Sequence, residues 1–204
     1  LLDADQPTMI WGAPGIGKSQ LTHQLAARRG MTLIDVRLSL LSDVDLRGIP
    51  YLKDGRTAWA PPAFLPQQNG GTILFFDEMN RALTSVMNAA FQIVLDRKLG
   101  EYTLPADVRI VAACNRETDG GGITRLPSAL LNRFTRIDLE PDHKDWLKWA
   151  ASAQINPITQ AFIRFRPALL SDFKPTKEIT NSPCPRTWAG VGNWLSAGVK
   201  DLEV

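Results

Sequence analysis

The sequence predicts a three-layer α/β core built on a parallel sheet, followed by a small helical domain. Three observations carry that expectation. Continuous apolar runs at 8–11, 72–76 and 108–114 read as strands buried on both faces. Helical patterns follow the first two, so strand and helix alternate. From Glu140-Pro141-Asp142 onward the alternation stops, and 143–153, 157–172 and 185–197 read as helices. A domain boundary therefore falls there, with a core at 1–139 and a helical lid at 140–204.

The composition bounds the rest. The chain has 204 residues, enough for one good core and a small second domain. Hydrophobic content of 44% and charged content of 22% are those of an ordinary globular protein. A net charge of +2 argues neither for nor against nucleic acid. No apolar run reaches membrane-spanning length and no secretory signal precedes the first strand. Two cysteines, Cys114 and Cys184, are too few for a disulfide framework or metal cluster, so a reduced cytoplasm is expected. The chain opens a few residues before its first strand without an initiator Met, which leaves a fragment of a longer protein open.

The first strand leads into Trp11-Gly12-Ala13-Pro14-Gly15-Ile16-Gly17-Lys18-Ser19, which fits G-x-x-x-x-G-K-[ST]. A helix follows, with Leu21 and Leu25 on one face and Gly30 stopping it. This strand–loop–helix context is what a phosphate cradle requires. Glycines let backbone N–H groups wrap a phosphate, and the helix N-terminus adds positive charge. The nucleotide-binding set is then Gly12, Ala13, Pro14, Gly15, Ile16, Gly17, Lys18, Ser19 and Gln20. Lys18 reaches the β- and γ-phosphates, and Ser19 binds magnesium. The plain alternative is a Gly/Pro turn without a ligand.

The run Thr72-Ile73-Leu74-Phe75-Phe76 ends in Asp77 and Glu78. Ligands of open α/β sheets bind at the carboxyl ends of strands, so both acids face the cradle's mouth. Asp77 is the second magnesium residue, and Glu78 polarises the attacking water. The competing reading makes the pair an acidic N-cap for a helix over 80–97. The strand over 108–114 ends in Asn115, which either positions that water or serves as a turn residue. Arg133, closing a short helix after Pro127, is a candidate arginine finger with Arg136 as its rival. Arg186 opens the last helix and reaches back over the nucleotide.

The ordered set resembles the AAA+ ATPases, and among them the MoxR family, over nearly the whole chain. Gly12 to Ser19 matches Walker A. Phe75-Phe76-Asp77-Glu78-Met79-Asn80-Arg81-Ala82 resembles Walker B with its Asn-Arg-Ala tail. Asn115 matches sensor 1, Arg133 falls at the arginine finger, and Arg186 matches sensor 2. The family's Ser-Pro-Arg is extended here to Ser-Pro-Cys-Pro-Arg. The resemblance implies a P-loop NTPase core of AAA+ type, ATP and Mg2+, and a homo-oligomeric, hexameric ring with Arg133 acting in trans. It also implies a helix-2 insert at about 43–66, with hairpins facing the ring channel. A client protein and a partner with a von Willebrand factor A domain belong to the same implication. The lid ends soon after Trp194, short for this family.

An Asp54-Gly55 pair between two short runs signals one hairpin, and 98–105 a second; ordinary surface hairpins are the alternative. His23 and His143 have no metal-ligand partner at useful spacing. Trp146 and Trp149 read as the core stripe of a lid helix. The basic residues are scattered, and no Asn-Lys-x-Asp run exists to read guanine, so ATP is favoured. Two other functions remain on the same core: a nucleic-acid motor or restriction-type translocase, and a non-hydrolysing nucleotide switch. Strong salt-dependent DNA binding marks the first, and ATP binding without turnover the second.

Overall fold

The computed structural model describes residues 6–119, 122–173 and 181–199. Gly120 and Gly121, residues 174–180, and the chain's first five and last five residues lie outside them. The chain forms two compact units. Among the described residues the larger holds 6–11, 18–117 and 122–138, and the smaller holds 12–17, 118–119 and the stretch from 139 onward.

In the larger unit, β1 (Thr8–Trp11), β2 (Thr32–Arg37), β5 (Thr72–Asp77), β8 (Arg109–Cys114) and β9 (Thr135–Asp138) form one sheet. Its order is β2-β5-β8-β1-β9, and every pairing is parallel. β5 is buried at all its positions, as an apolar run between two neighbouring strands must be. β2 and β9 are the edges, half exposed and carrying Asp35, Arg37, Arg136 and Asp138.

Side chains alternate across each strand. One face, with Met9, Leu74, Phe76, Ile110 and Ala112, packs on α3 (Thr84–Asp96) through Val86, Ala90, Ile93 and Val94. α1 (Lys18–Arg29) covers the other face with Lys18, Thr22 and Ala26, giving three layers. The expected Leu21 stripe is not the buried one: Leu21 is 44% exposed. Burial of the Lys18 stem sets the inward face and turns Leu21 out.

Between β2 and β5 lie α2 (Asp43–Arg47), capped by a reciprocal Ser42–Asp45 box, and a hairpin of β3 (Ile49–Lys53) and β4 (Arg56–Ala60). Its turn residues Asp54 and Gly55 have φ of 52° and 74°, as a two-residue primed turn requires. A second hairpin pairs β6 (Lys98–Leu99) with β7 (Tyr102–Thr103). The Arg97 guanidinium holds its return by donating to the carbonyls of Pro105 and Val108. α4 (Ser128–Leu131) precedes β9.

The sequence pattern places a helix over 80–97, but the chain first makes a 3-10 turn, Met79–Arg81, and α3 starts at Thr84. Leu83 occupies the N-cap without a side-chain bond, so Asp77 and Glu78 do not cap α3.

The smaller unit contains α5 (His143–Ser152), α6 (Pro157–Phe165) and α7 (Pro185–Ser196). Asp142 caps α5 by accepting from the N–H groups of Lys144 and Asp145; Asn156 caps α6 through Ile158 N–H. The expected single helix over 157–172 breaks at Arg166-Pro167, where proline lacks the N–H a helix needs, and a 3-10 turn follows at Pro167–Leu170. Trp146, Ala150, Ile155, Ile163 and Leu170 make the core. Trp146 and Trp149 rings sit 6.2 Å apart, as the stripe predicts. No helix among the described residues is long and apolar enough to cross a membrane.

Candidate nucleotide site

The sheet register brings its functional ends level. Trp11 lies opposite Cys114, Phe76 opposite Ala112, and Arg37 opposite Asp77. The residues just beyond, Ser39, Glu78 and Asn115, therefore gather on one edge with Lys18 and Ser19 at the start of α1. No acid of α1 itself occupies its first turn, while Arg28 and Arg29 complement the other end.

Lys18 is buried, and its Nζ donates to Asn115 Oδ1 at 2.8 Å. Ser19 Oγ donates to Asp77 Oδ2 at 2.7 Å, and Asp77 Oδ1 accepts from Glu78 N–H at 2.9 Å. Residues 97 and 58 positions apart in the chain are thus in direct contact. A hydroxyl touching one carboxylate is the donor set of a hard divalent ion that takes its remaining ligands from phosphate and water. Among the described residues no cluster of three His, Cys, Asp or Glu could cage a metal alone. The pair fits magnesium in that shared form.

Glu78 has φ of 53°, in the left-handed region. Its Oε2 accepts from Ser39 Oγ at 2.5 Å, and Oε1 lies 3.6 Å from the Arg81 guanidinium. Asn115 is held in turn by Asn80. Asn80, fully buried, donates from Nδ2 to the Asn115 carbonyl at 2.7 Å and accepts the Asn115 N–H at 3.2 Å. Asn80 stands in the Asn-Arg-Ala tail after Walker B, where its neighbours in sequence carry no sign of this contact. Ser39 left no local signal at all.

The glycine loop belongs to the smaller unit. Gly15 has φ of 77°, and a Cβ there would stand 2.5 Å from Cys184 Sγ. Its carbonyl accepts from Arg186 N–H at 3.1 Å. The extended Ser-Pro-Cys-Pro-Arg thus carries Arg186 to the loop rather than away from it. Gly12 and Ala13 are buried, Pro14 and Ile16 half-buried, and Gln20 exposed. Burial pushes the Cys114 thiol up to about 12, while the Asn80 N–H and Lys18 partly offset this.

The two candidate fingers differ. Arg136 bonds both oxygens of Asp138 at 2.7 to 3.1 Å and lies 5.0 Å over the Trp11 ring. Arg133 is exposed, and among the described residues its guanidinium has no hydrogen-bond or ion-pair partner.

A parallel α/β sheet with this loop and these acids defines a P-loop nucleoside triphosphatase. Residues 7–134 match the AAA domain (dynein-related subfamily), and the chain belongs to that family. It is therefore an AAA+ ATPase domain by family, and that fold in general implies work on nucleotide with Mg2+.

Two curated relatives are Midasin of Dictyostelium discoideum, 27% identical over 162 residues and 74% of this chain, and Midasin of Giardia intestinalis, 28% identical over 153 residues and 70% of it. The matched segment spans only 3% of either relative's length. Among solved structures, a RuvB variant of Thermotoga maritima superposes with a TM-score of 0.63 at 19% identity, covering 96% of this chain and 59% of that one. NtrX of Brucella abortus gives 0.57 at 17%, covering 98% and 48%. These likenesses are of fold.

Proposed function

We propose that the chain hydrolyses ATP in a ring and couples turnover to remodelling of a partner protein, as its MoxR-like motifs imply. One observation carries the reading. Lys18 meets Asn115 and Ser19 meets Asp77 at the carboxyl edge of the sheet, bringing three separate motifs together, while the Arg133 guanidinium is exposed and has no partner among the described residues.

Roles follow from chemistry. Lys18 exchanges the Asn115 oxygen for the β- and γ-phosphates of ATP. Ser19 and Asp77 hold magnesium, which supplies charge neutralisation on the phosphates when bound. Asn115 orients a water for in-line attack on the γ-phosphorus, and Glu78 takes up its proton as the bond to ADP breaks. Arg186, by the same resemblance, is the residue that steadies the phosphates. Arg133 reaches a neighbouring site, where such an arginine contributes roughly 10³ to 10⁵ in rate in GTPases. A hexamer, a cytoplasmic setting, a client protein and a von Willebrand factor A domain partner complete the reading. The β3–β4 and β6–β7 hairpins are the surfaces that meet the client. The likeness to RuvB is one of fold and carries no DNA reading by itself.

The test mixes two inactive variants, Glu78→Gln and Arg133→Ala. Each alone binds ATP without turnover. Together they form some sites with an intact Glu78 and a neighbour's intact Arg133, so activity returns. A mixture as silent as its parts would sink the shared site. Turnover per subunit that stays flat with protein concentration would do the same.

A further inference from the structure

Asn80 is fully buried and polar, three residues after Asp77, yet it contributes no group to the phosphate site described above. Its position explains what it does. The ladder between β5 and β8 ends at Phe76↔Ala112, so β5 offers Asn115 no backbone partner. The side-chain amide of Asn80 takes over as a surrogate peptide. It gives a donor to the Asn115 carbonyl at 2.7 Å and an acceptor to the Asn115 N–H at 3.2 Å. A carboxamide presents one donor and one acceptor side by side at any pH. The Asn80 carbonyl, in turn, accepts from Thr124 N–H at 2.8 Å, which ties in the segment leading to α4 and Arg133.

Buried backbone groups without partners are costly, so this clamp has few alternatives. Fixing the Asn115 peptide at both ends fixes where its side chain points. That side chain meets Lys18 Nζ at 2.8 Å. We propose that Asn80 is the positioning residue of the ATPase site: it clamps the Asn115 peptide, and thereby sets the Asn115 carboxamide against Lys18 and the attacking water. The inference rests on the reading that Asn115 orients that water.

Asn80→Asp is the informative variant. It is nearly isosteric and, once ionised, keeps the acceptor for Asn115 N–H without the donor to the Asn115 carbonyl; protonated, it restores that donor, so kcat is followed with pH. Asn80→Ala, Asn115→Ala and the double variant Asn80→Asp/Asn115→Ala complete a cycle. The readouts are kcat, KM for ATP with Mg2+, and thermal midpoint. A misplacement of this kind lowers kcat by roughly ten- to a hundredfold. The proposal expects that loss in Asn80→Asp with KM nearly unchanged, and a double variant within about twofold of Asn115→Ala alone.

A double variant slowed by the product of both single effects would overturn it, because Asn80 would then act by another route. So would an Asn80→Asp enzyme as fast as the parent at every pH beside a slow Asn115→Ala. If Asn115→Ala itself turns over at the parental rate, the assignment of Asn115 fails first and the proposal falls with it. Should Asn80→Ala not fold, Asn80→Asp decides the case alone.

Discussion

Ser39 Oγ donates a hydrogen bond to Glu78 Oε2 at 2.5 Å, linking the turn after β2 to the residue after β5. The carboxylate proposed to activate water is therefore engaged from the side. A hydrogen bond to a charged group contributes about 1.5–3 kcal/mol. Glu78 must give up much of that to turn toward a water. Removing the hydroxyl should raise basal turnover severalfold and leave ATP affinity unchanged. Steady-state ATPase assays on Ser39→Ala and Ser39→Thr check this, with threonine expected to behave as the parent. A fall in turnover would mean that Ser39 aims Glu78 productively. The Arg81 contact is longer, at 3.6 Å and partly exposed, so Arg81→Ala should change little.

Arg133 and Arg136 separate by what holds them. Arg136 pairs with Asp138 and covers Trp11, so Arg136→Ala removes intrachain contacts. The pair is more than half exposed and contributes at most about 1 kcal/mol, with a comparable cation–π gain. Arg136→Ala should lower the thermal midpoint slightly and keep most turnover. Arg133→Ala should leave stability and ATP binding intact while abolishing turnover. The opposite pattern in paired melting and ATPase measurements would exchange the assignments.

The legible parts of this molecule are those written in adjacent residues. The apolar run of β5 ending in Asp77-Glu78, the glycine loop before Lys18 and the Asp54-Gly55 turn each carry their physics locally. The edge strands β2 and β9 carry no such local signal, because half-exposed strands bearing Asp35, Arg37, Arg136 and Asp138 show neither a continuous apolar run nor clean alternation. The exposure of Leu21 escaped because the face of α1 is chosen by Lys18, not by leucine spacing. Ser39 and Asn80 act 39 and 35 residues away in the chain, and such hydrogen bonds leave no periodic trace.

Gly15 should not tolerate a side chain. Its φ of 77° costs a Cβ-bearing residue roughly 1–2 kcal/mol, and the Cβ would approach Cys184 Sγ to 2.5 Å. Gly15→Ala should lower the thermal midpoint and weaken ATP binding, since the loop must shift. Adding Cys184→Ala removes the sulfur but neither the backbone cost nor the Cys184 Cβ at 3.3 Å. Recovery in melting and nucleotide titration should therefore be partial. A full rescue would show that the backbone conformation costs nothing here; no rescue would remove the sulfur as the obstacle.

Cys114 sits at the end of β8, beside the site, and its burial makes stability depend on alkaline pH. The thiol's ordinary value of 9.0 is pushed up to about 12, chiefly by burial, with Asp77 adding in the same direction. In the unfolded chain the thiol loses its proton near 9, while the folded chain keeps it until about 12. Between those values the unfolded state binds fewer protons, so stability falls as pH rises, by about 1.4 kcal/mol per pH unit. The contribution is whole below the unfolded value and lost by the folded one. Cys114→Ala lacks this dependence. Denaturant unfolding of both proteins from neutral pH upward should show a constant difference at first, then a steady relative loss in the parent once the pH passes 9.0. A difference that stays constant through this range would mean that the folded thiol titrates as the unfolded one does, and that the end of β8 admits water beside Asn115.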